Sequence, residues 1–151
     1  MIYFADTSAL VKRYVNEVGS GYVRNLVAAA DTIFYQSFLT PLEMTSTFYR
    51  RHRMHELSAE ELTLVLQAYA GHSHKEYTLI PYSEPLLNTA GTLIARHPLR
   101  ALDAIQLAAA LSLRNTFPAD AQPPTFLSAD DRLIAVARRE HLLAENPNDH
   151  P

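Results

Sequence analysis

The chain has 151 residues, the usual size of one domain, and we predict a single domain over residues 1–151. Its 48% hydrophobic and 19% charged residues are typical of a globular protein and exclude the disordered and fibrous classes. It contains no cysteine, which excludes disulfide frameworks, thiol catalysis and cysteine-based zinc sites. Its net charge of −3 lacks the basic excess of a protein that binds nucleic acid by charge alone.

The N-terminal apolar run ends at Asp6, so it is too short for a signal peptide or a membrane span. No later segment approaches the length of a spanning helix. We therefore expect a soluble, cytoplasmic protein with no membrane association.

Short apolar runs alternate with segments of helical periodicity along the chain. In chain order the pattern predicts a strand at 2–5, helices at 9–14 and 22–30, a strand at 32–35, helices at 40–54 and 57–70, a strand at 77–80, helices at 84–96 and 102–113, a proline-containing loop at 115–124, a strand at 125–127, a helix at 130–140 and a short edge strand at 142–144. This alternation indicates a parallel sheet with helices on its faces, in which ligands collect beyond the carboxyl ends of the strands.

Two aspartates follow predicted strands. Asp6 comes directly after the first strand, and Asp130 follows the strand at 125–127. Each is also a good N-cap for the helix that begins next, which is the alternative to a role in chemistry. Asp131 competes with Asp130, and the pattern alone leaves open which of the two is the cap.

Two further carboxylates begin helices. Glu43 lies three residues after Thr40, so a capping box in which it turns back to the Thr40 backbone is the alternative to a functional role. Asp103 lies in a helix that is apolar nearly all round, where an ionised carboxylate is costly unless it is paired or binds a metal. Its place in the first turn is partly explained by the helix dipole.

Carboxylates brought together without a cation repel one another, and oxygen-rich sites without cysteine or histidine prefer Mg²⁺ or Mn²⁺. Such ions, singly or in pairs, stabilise the displacement at a phosphodiester. A cluster of Asp6, Glu43, Asp103 and Asp130 therefore predicts metal-dependent phosphodiester hydrolysis. It also gives a local reason for the acidic net charge.

The ordered motifs resemble the PIN-domain ribonucleases, and within them the VapC-type toxins of toxin–antitoxin pairs. The motifs are Asp6-Thr7-Ser8-Ala9-Leu10-Val11-Lys12 after a strand, Glu43 early in a helix, Leu102-Asp103-Ala104, and Phe126-Leu127-Ser128-Ala129-Asp130-Asp131-Arg132-Leu133. The resemblance covers nearly the whole chain, and it is the ordered set that is specific, since each motif alone is weak.

The resemblance implies a three-layer α/β/α sandwich with a mainly parallel sheet of about five short strands. It implies a Mg²⁺- or Mn²⁺-dependent endoribonuclease, a homodimer, and inhibition by a small antitoxin protein. Asp6, Glu43, Asp103 and Asp130 take the four acidic positions as catalytic and metal-binding residues, with Ser8 and Ser128 in support. This match favours Asp130 over Asp131. Asp6 and Asp103 are expected to be the core metal ligands, with Glu43 and Asp130 acting directly or through water.

Two other functions remain open at this point. An aspartyl-phosphate phosphatase also places an aspartate after its first strand, but it needs a second one two residues later, where this chain has Ser8. A binding module with this fold and little catalysis is the second. The basic run at 50–53 is either an RNA contact or a solvated helix end, and Arg96, His97 and Arg100 either contact phosphate or screen the acidic cluster.

Overall fold

The fold is an α/β sandwich, seen in a computed structural model that describes residues 1–118 and 120–150. The five strands are β1 (Ile2–Ala5), β2 (Ile33–Ser37), β3 (Tyr77–Ile80), β4 (Thr125–Leu127) and β5 (Leu143–Glu145). The helices of the described residues are α1 (Thr7–Leu10), α2 (Ser20–Ala28), α3 (Thr40–Arg53), α4 (Ala59–Lys75), α5 (Glu84–Arg96), α6 (Ala101–Arg114) and α7 (Asp131–Arg139), with 3₁₀ turns at Val11–Arg13 and Pro147–Asp149.

The sheet is parallel throughout and has the strand order β3-β2-β1-β4-β5. The chain therefore builds outward from β1 on one side and then returns to place β4 on the other. Ala5 is paired with Leu127, so the residues that follow, Asp6 and Ser128, leave adjacent strands side by side. A reversal of strand order of this kind opens a crevice at the carboxyl edge of a parallel sheet, where ligands usually bind.

The two faces of the sheet carry separate apolar cores. Alternating residues point to opposite faces of a strand, so Tyr3 and Ala5 pack toward α1–α4 while Phe4 packs toward α5–α7. Phe4 also stacks on Phe126 of the neighbouring strand, with ring centroids 5.9 Å apart. This gives the three layers expected from the family resemblance.

The α6 helix is the most deeply buried of the set, because small and apolar residues cover nearly all of its surface. Its buried residues are Ala104, Gln106, Leu107, Ala108, Ala109, Ala110, Leu111 and Leu113. Asp103 and Gln106 are therefore held on a rigid element that is fixed by packing.

The predicted elements agree with the observed ones in order and type, and differ mainly at their ends. The first predicted helix is divided into α1 and a 3₁₀ turn, and α4 extends to Lys75. Within the predicted loop at 115–124, position 119 lies outside the described residues. In the part of the chain that the structure describes, no helix has the length and apolar surface needed to cross a membrane.

Candidate active site

The four predicted carboxylates line one cleft of about 880 Å³ at the carboxyl edge of the sheet. Asp6 follows β1, Glu43 lies in the first turn of α3, Asp103 in the first turn of α6, and Asp130 directly precedes α7. Ser8 lines the same cleft. The fold thus lines one cleft with four carboxylates, the first and last of which are more than 120 residues apart in the sequence.

Asp6 is nearly buried, with 6% of its surface exposed. Its Oδ1 accepts hydrogen bonds from Ser8 Oγ (2.7 Å) and from the Ala9 backbone N–H (3.1 Å), so it does cap α1. Its Oδ2 accepts from Ser128 Oγ (2.9 Å). Burial raises the pKa of Asp6 to about 6, although the hydroxyl and backbone donors oppose that shift. The cap and a place in the cleft therefore coexist in one side chain.

Ser8 and Ser128 join the ends of β1 and β4. Ser8 Oγ accepts from the Ala129 backbone N–H (2.8 Å) and lies 3.3 Å from Ser128 Oγ. Ser128 Oγ in turn accepts from the Asp130 backbone N–H (3.1 Å). This network fixes Asp6 relative to the backbone of Asp130.

Glu43 does not form the capping box that its spacing from Thr40 suggests. The α3 helix begins one residue earlier than that motif requires, with Leu39 at the N-cap and no side-chain cap. Glu43 Oε2 instead accepts from Thr7 Oγ1 (2.8 Å) and from Gln106 Nε2. The alternative explanation of this residue as a helix cap is therefore wrong, and its side chain is turned toward the cleft.

Gln106 is a residue of the cleft that the sequence pattern did not predict. It lines the cleft, is 3% exposed, and contacts both Glu43 and Thr40. Its only signal in the sequence is that it is polar within an otherwise apolar stretch of α6, one turn after Asp103. Polar residues in such a stretch have partners, but only the tertiary structure identifies them.

Asp103 lines the same cleft as Asp6 and is half-buried at the start of α6. Burial, and then the negative charge of Asp130, raise the pKa of Asp103, while nearby Arg100 opposes the shift. A cation bound between Asp103 and Asp130 would relieve the repulsion between their negative charges.

The structure separates the roles of the adjacent aspartates before α7. Asp130 lines the cleft and caps α7 through Oδ1, which accepts from the backbone N–H groups of Arg132 (2.8 Å) and Leu133 (3.2 Å). Asp131 instead accepts through Oδ1 from Asn146 Nδ2 (2.6 Å) and does not line the cleft. Asp130 is therefore the one of the two that faces the cleft.

Replacing each of these aspartates by asparagine tests the assignment. We expect Asp130→Asn to lower the rate of substrate cleavage by about 10- to 100-fold, the usual effect of disturbing a group that holds or orients a metal. Asp131→Asn is the matched control and should keep the wild-type rate, since its partner lies outside the cleft. Steady-state kinetics of the two variants would contradict the assignment if Asp131→Asn were the more damaged.

The donor set fits a hard divalent cation. Every predicted ligand is a carboxylate, and oxygen ligands are those preferred by Mg²⁺ and Mn²⁺. Within residues 1–118 and 120–150, no three acidic or histidine side chains lie close enough to hold a metal ion together. Mg²⁺ commonly keeps several waters and takes only one or two protein carboxylates, so the arrangement suits a hydrated ion.

Basic residues divide between the cleft and other surfaces. Arg50 and Arg100 are exposed and line the cleft, where they form no ion pair with any described residue. Arg51 also lines it but is paired with Glu17 and Glu56. The pair Arg96 and His97 instead binds Glu140, outside the cleft. Of the three basic residues near Asp103 in sequence, only Arg100 is placed to contact a cleft ligand.

The C-terminal turn, which the sequence pattern did not single out, forms another part of the cleft wall. Asn148, within the turn at Pro147–Asp149, lines the cleft. Gly19 has a left-handed φ of +80°, and a Cβ there would overlap the Pro147 carbonyl. Glycine is needed at this position because the turn packs directly on its backbone.

Sequence comparisons with family models and with curated proteins find no match. Comparison with solved structures does find matches. FitAcB from Neisseria gonorrhoeae aligns over the whole of both chains, with a TM-score of 0.69 and 14% identity. A chain of VapBC2 from Rickettsia felis, bound to a promoter DNA fragment, aligns over 97% of this chain and 98% of its own, with a TM-score of 0.64 and 16% identity.

VapC20 from Mycobacterium tuberculosis, a toxin that cleaves the sarcin–ricin loop, aligns over 89% of this chain and 94% of its own. Its TM-score is 0.64 and its identity 16%. Identities this low establish shared architecture. The chain has the fold of these VapC and FitAB structures, the fold that its resemblance to PIN domains predicts.

Proposed function

We propose that the chain is a divalent-metal-dependent endoribonuclease and the toxin of a toxin–antitoxin pair. The observation that carries this proposal is the meeting of Asp6, Glu43, Asp103 and Asp130 in one cleft at the switch point of the sheet. The fold supports it, since VapC20, which has the same architecture, is described as cleaving the sarcin–ricin loop.

In this proposal Asp6 and Asp103 hold the cation directly, and Glu43 and Asp130 hold it directly or through water. When bound, Mg²⁺ or Mn²⁺ supplies a Lewis acid that neutralises charge on the phosphodiester and activates water. The residues of the chain do the rest. Ser8 and Ser128 keep Asp6 in one orientation, and the apolar packing of α6 holds Asp103 at the wall of the same cleft.

Arg50 and Arg100 are the proposed contacts to the RNA backbone. Each phosphate contact to single-stranded RNA contributes about 0.7 to the slope of log affinity against log salt concentration. We expect Arg100→Gln to weaken RNA binding and to reduce that slope by about 0.7. Binding is measured in EDTA so that the RNA stays intact.

Arg96→Gln is the matched control for Arg100→Gln. Arg96 is also exposed and lies only four residues earlier, but its guanidinium pairs with Glu140 outside the cleft (3.1 Å). The Arg96→Gln variant should bind RNA with the wild-type salt dependence. Equal slopes of log affinity against log salt concentration for the wild type and Arg100→Gln would show that Arg100 does not contact an RNA phosphate.

The proposed partners are an antitoxin protein and a second copy of the chain, and the proposed compartment is the cytoplasm. Support for the antitoxin comes from the VapBC and FitAB complexes that share the fold. Leu42 and Leu102, which are 69% and 49% exposed at the rim of the cleft, offer an apolar surface for it. Light scattering of the purified chain tests the homodimer.

Cleavage of defined RNA with Mg²⁺, with Mn²⁺ and with EDTA tests the proposed function. Cleavage that requires the divalent ion supports it. No cleavage of any RNA with either metal would overturn it in favour of a binding module. The phosphatase alternative has little support, because Ser8 stands where the second aspartate is needed and donates its hydroxyl hydrogen to Asp6.

A further inference from the structure

Glu43 is held from two other helices through a single carboxylate oxygen. Thr7 Oγ1, at the start of α1, donates to Glu43 Oε2 at 2.8 Å, and Gln106 Nε2, in α6, donates to the same oxygen. Glu43 Oε1 has no hydrogen-bond donor among the described residues. The side chain therefore presents one restrained oxygen to the protein and leaves the other unused.

The orientation of the Gln106 amide follows from the charge of Glu43. With the amide reversed, Gln106 Oε1 would face the carboxylate, acceptor against acceptor. In the observed orientation Nε2 also donates to Thr40 Oγ1 (3.2 Å), and Thr40 Oγ1 lies 3.2 Å from Ser37 Oγ at the end of β2. The amide is thus anchored to the sheet as well as to Glu43.

The other end of the same amide has no partner. Gln106 Oε1 is buried and forms no hydrogen bond with the described residues, although the side chain is only 3% exposed. Buried acceptors without a partner are uncommon in native proteins, and each calls for an explanation. Stability alone does not explain a glutamine that leaves its oxygen unpaired, whereas its contact with Glu43 does.

We propose that Gln106 and Thr7 are positioning residues that fix Glu43 through Oε2, so that Oε1 is directed to the water shell of the divalent cation. This inference rests on the proposed function, because it assigns the use of Glu43 within the same cleft. Partners of this kind, which orient a metal ligand without touching the metal, commonly change metal affinity when they are removed.

The test is Mn²⁺ affinity of the intact chain without RNA, measured by electron paramagnetic resonance or calorimetry. Gln106→Met keeps the length and approximate volume of the side chain and removes both donors. We expect it to weaken Mn²⁺ binding by about tenfold or more. Thr7→Val, which keeps the side-chain shape at a partly exposed site, should weaken it in the same direction and serves if Gln106→Met does not fold.

Gln36→Met is the control that distinguishes a positioning role of Gln106 from a general effect on core packing. Gln36 is fully buried in β2 and bonds to Tyr69 (2.8 Å) and Ser73 (2.9 Å), outside the cleft. It should lose thermal stability comparably to Gln106→Met while binding Mn²⁺ like the wild type. Thr89→Val, at a partly exposed site of α5 outside the cleft, is the matched control for Thr7→Val.

The outcomes distinguish this inference from the proposed function. A wild-type chain that binds no Mn²⁺ and cleaves no RNA overturns both. A wild-type chain that does both, with Mn²⁺ affinity unchanged in Gln106→Met and Thr7→Val, overturns only the positioning role. Equal loss of affinity in Gln36→Met and Gln106→Met also overturns it, since packing alone would then explain the effect.

Discussion

The Asp6→Asn variant is expected to lose RNA cleavage by about a thousandfold or more, since loss of a core metal ligand removes several kcal/mol of transition-state stabilisation and each 1.36 kcal/mol is tenfold in rate. At neutral pH in EDTA the same variant is expected to be more stable than the wild type. Asparagine keeps nearly the shape of the buried carboxylate and removes the charge that burial penalises.

The pH dependence of this gain follows from the pKa of Asp6, which burial raises from 3.8 to about 6. Between these values the folded state binds more protons than the unfolded state, so the free energy of unfolding of the wild type falls as pH rises. Below pH 3.8 the group is protonated in both states and the variant gains nothing. Above pH 6 the gain is complete and amounts to about 3 kcal/mol at most.

Chemical denaturation in EDTA across this pH range measures the gain, and Asp31→Asn is the control for loss of an exposed carboxylate. Added Mn²⁺ should reverse the order of stability, because a ligand at 1,000 times its dissociation constant stabilises the folded state by about 4.1 kcal/mol, which exceeds the gain of the variant. Only the wild type should receive this stabilisation in full. An Asp6→Asn chain that cleaves RNA at the wild-type rate would refute the assigned site.

Phe48→Ala is expected to cause the largest loss of stability in the α3 region. Phe48 is fully buried and packs edge-on against Tyr14 and Tyr69, with ring centroids 5.8 and 6.4 Å away. Removing a buried aromatic ring from a close-packed core costs about 3–5 kcal/mol. For a chain of this size that is a fall in melting temperature of roughly 10 °C. Thermal unfolding followed by circular dichroism measures it.

The adjacent residue provides the control for Phe48→Ala. Tyr49 lies next to Phe48 on α3 but is 44% exposed, so Tyr49→Ala should cost less than about 1 kcal/mol. Phe48→Leu, which leaves a smaller cavity, should fall between the two. Similar melting temperatures for Phe48→Ala and Tyr49→Ala would show that the packing of α3 on α4 contributes little to stability.

The sequence by itself determined the order and type of the elements. Alternation of short apolar runs with helical segments is a local property of the sequence. Helix starts are also indicated locally, by the prolines and by the capping residue Ser58. The positions of Asp6 and Asp130 after strands were also readable locally. That they meet follows from the general geometry of parallel sheets, once β1 and β4 are neighbours.

Only the tertiary structure decided which roles these residues can take. Local spacing favoured a capping box for Glu43, but the start of α3 at Thr40 and the approach of Gln106 from α6 turned its side chain into the cleft. Asn146 likewise binds Asp131 from another part of the chain, and Asp130 is the one of the two that lines the cleft. The physical reason is common to these cases, since hydrogen bonds between residues far apart in sequence depend on how helices pack on the sheet. The sequence pattern of a single segment does not predict that packing.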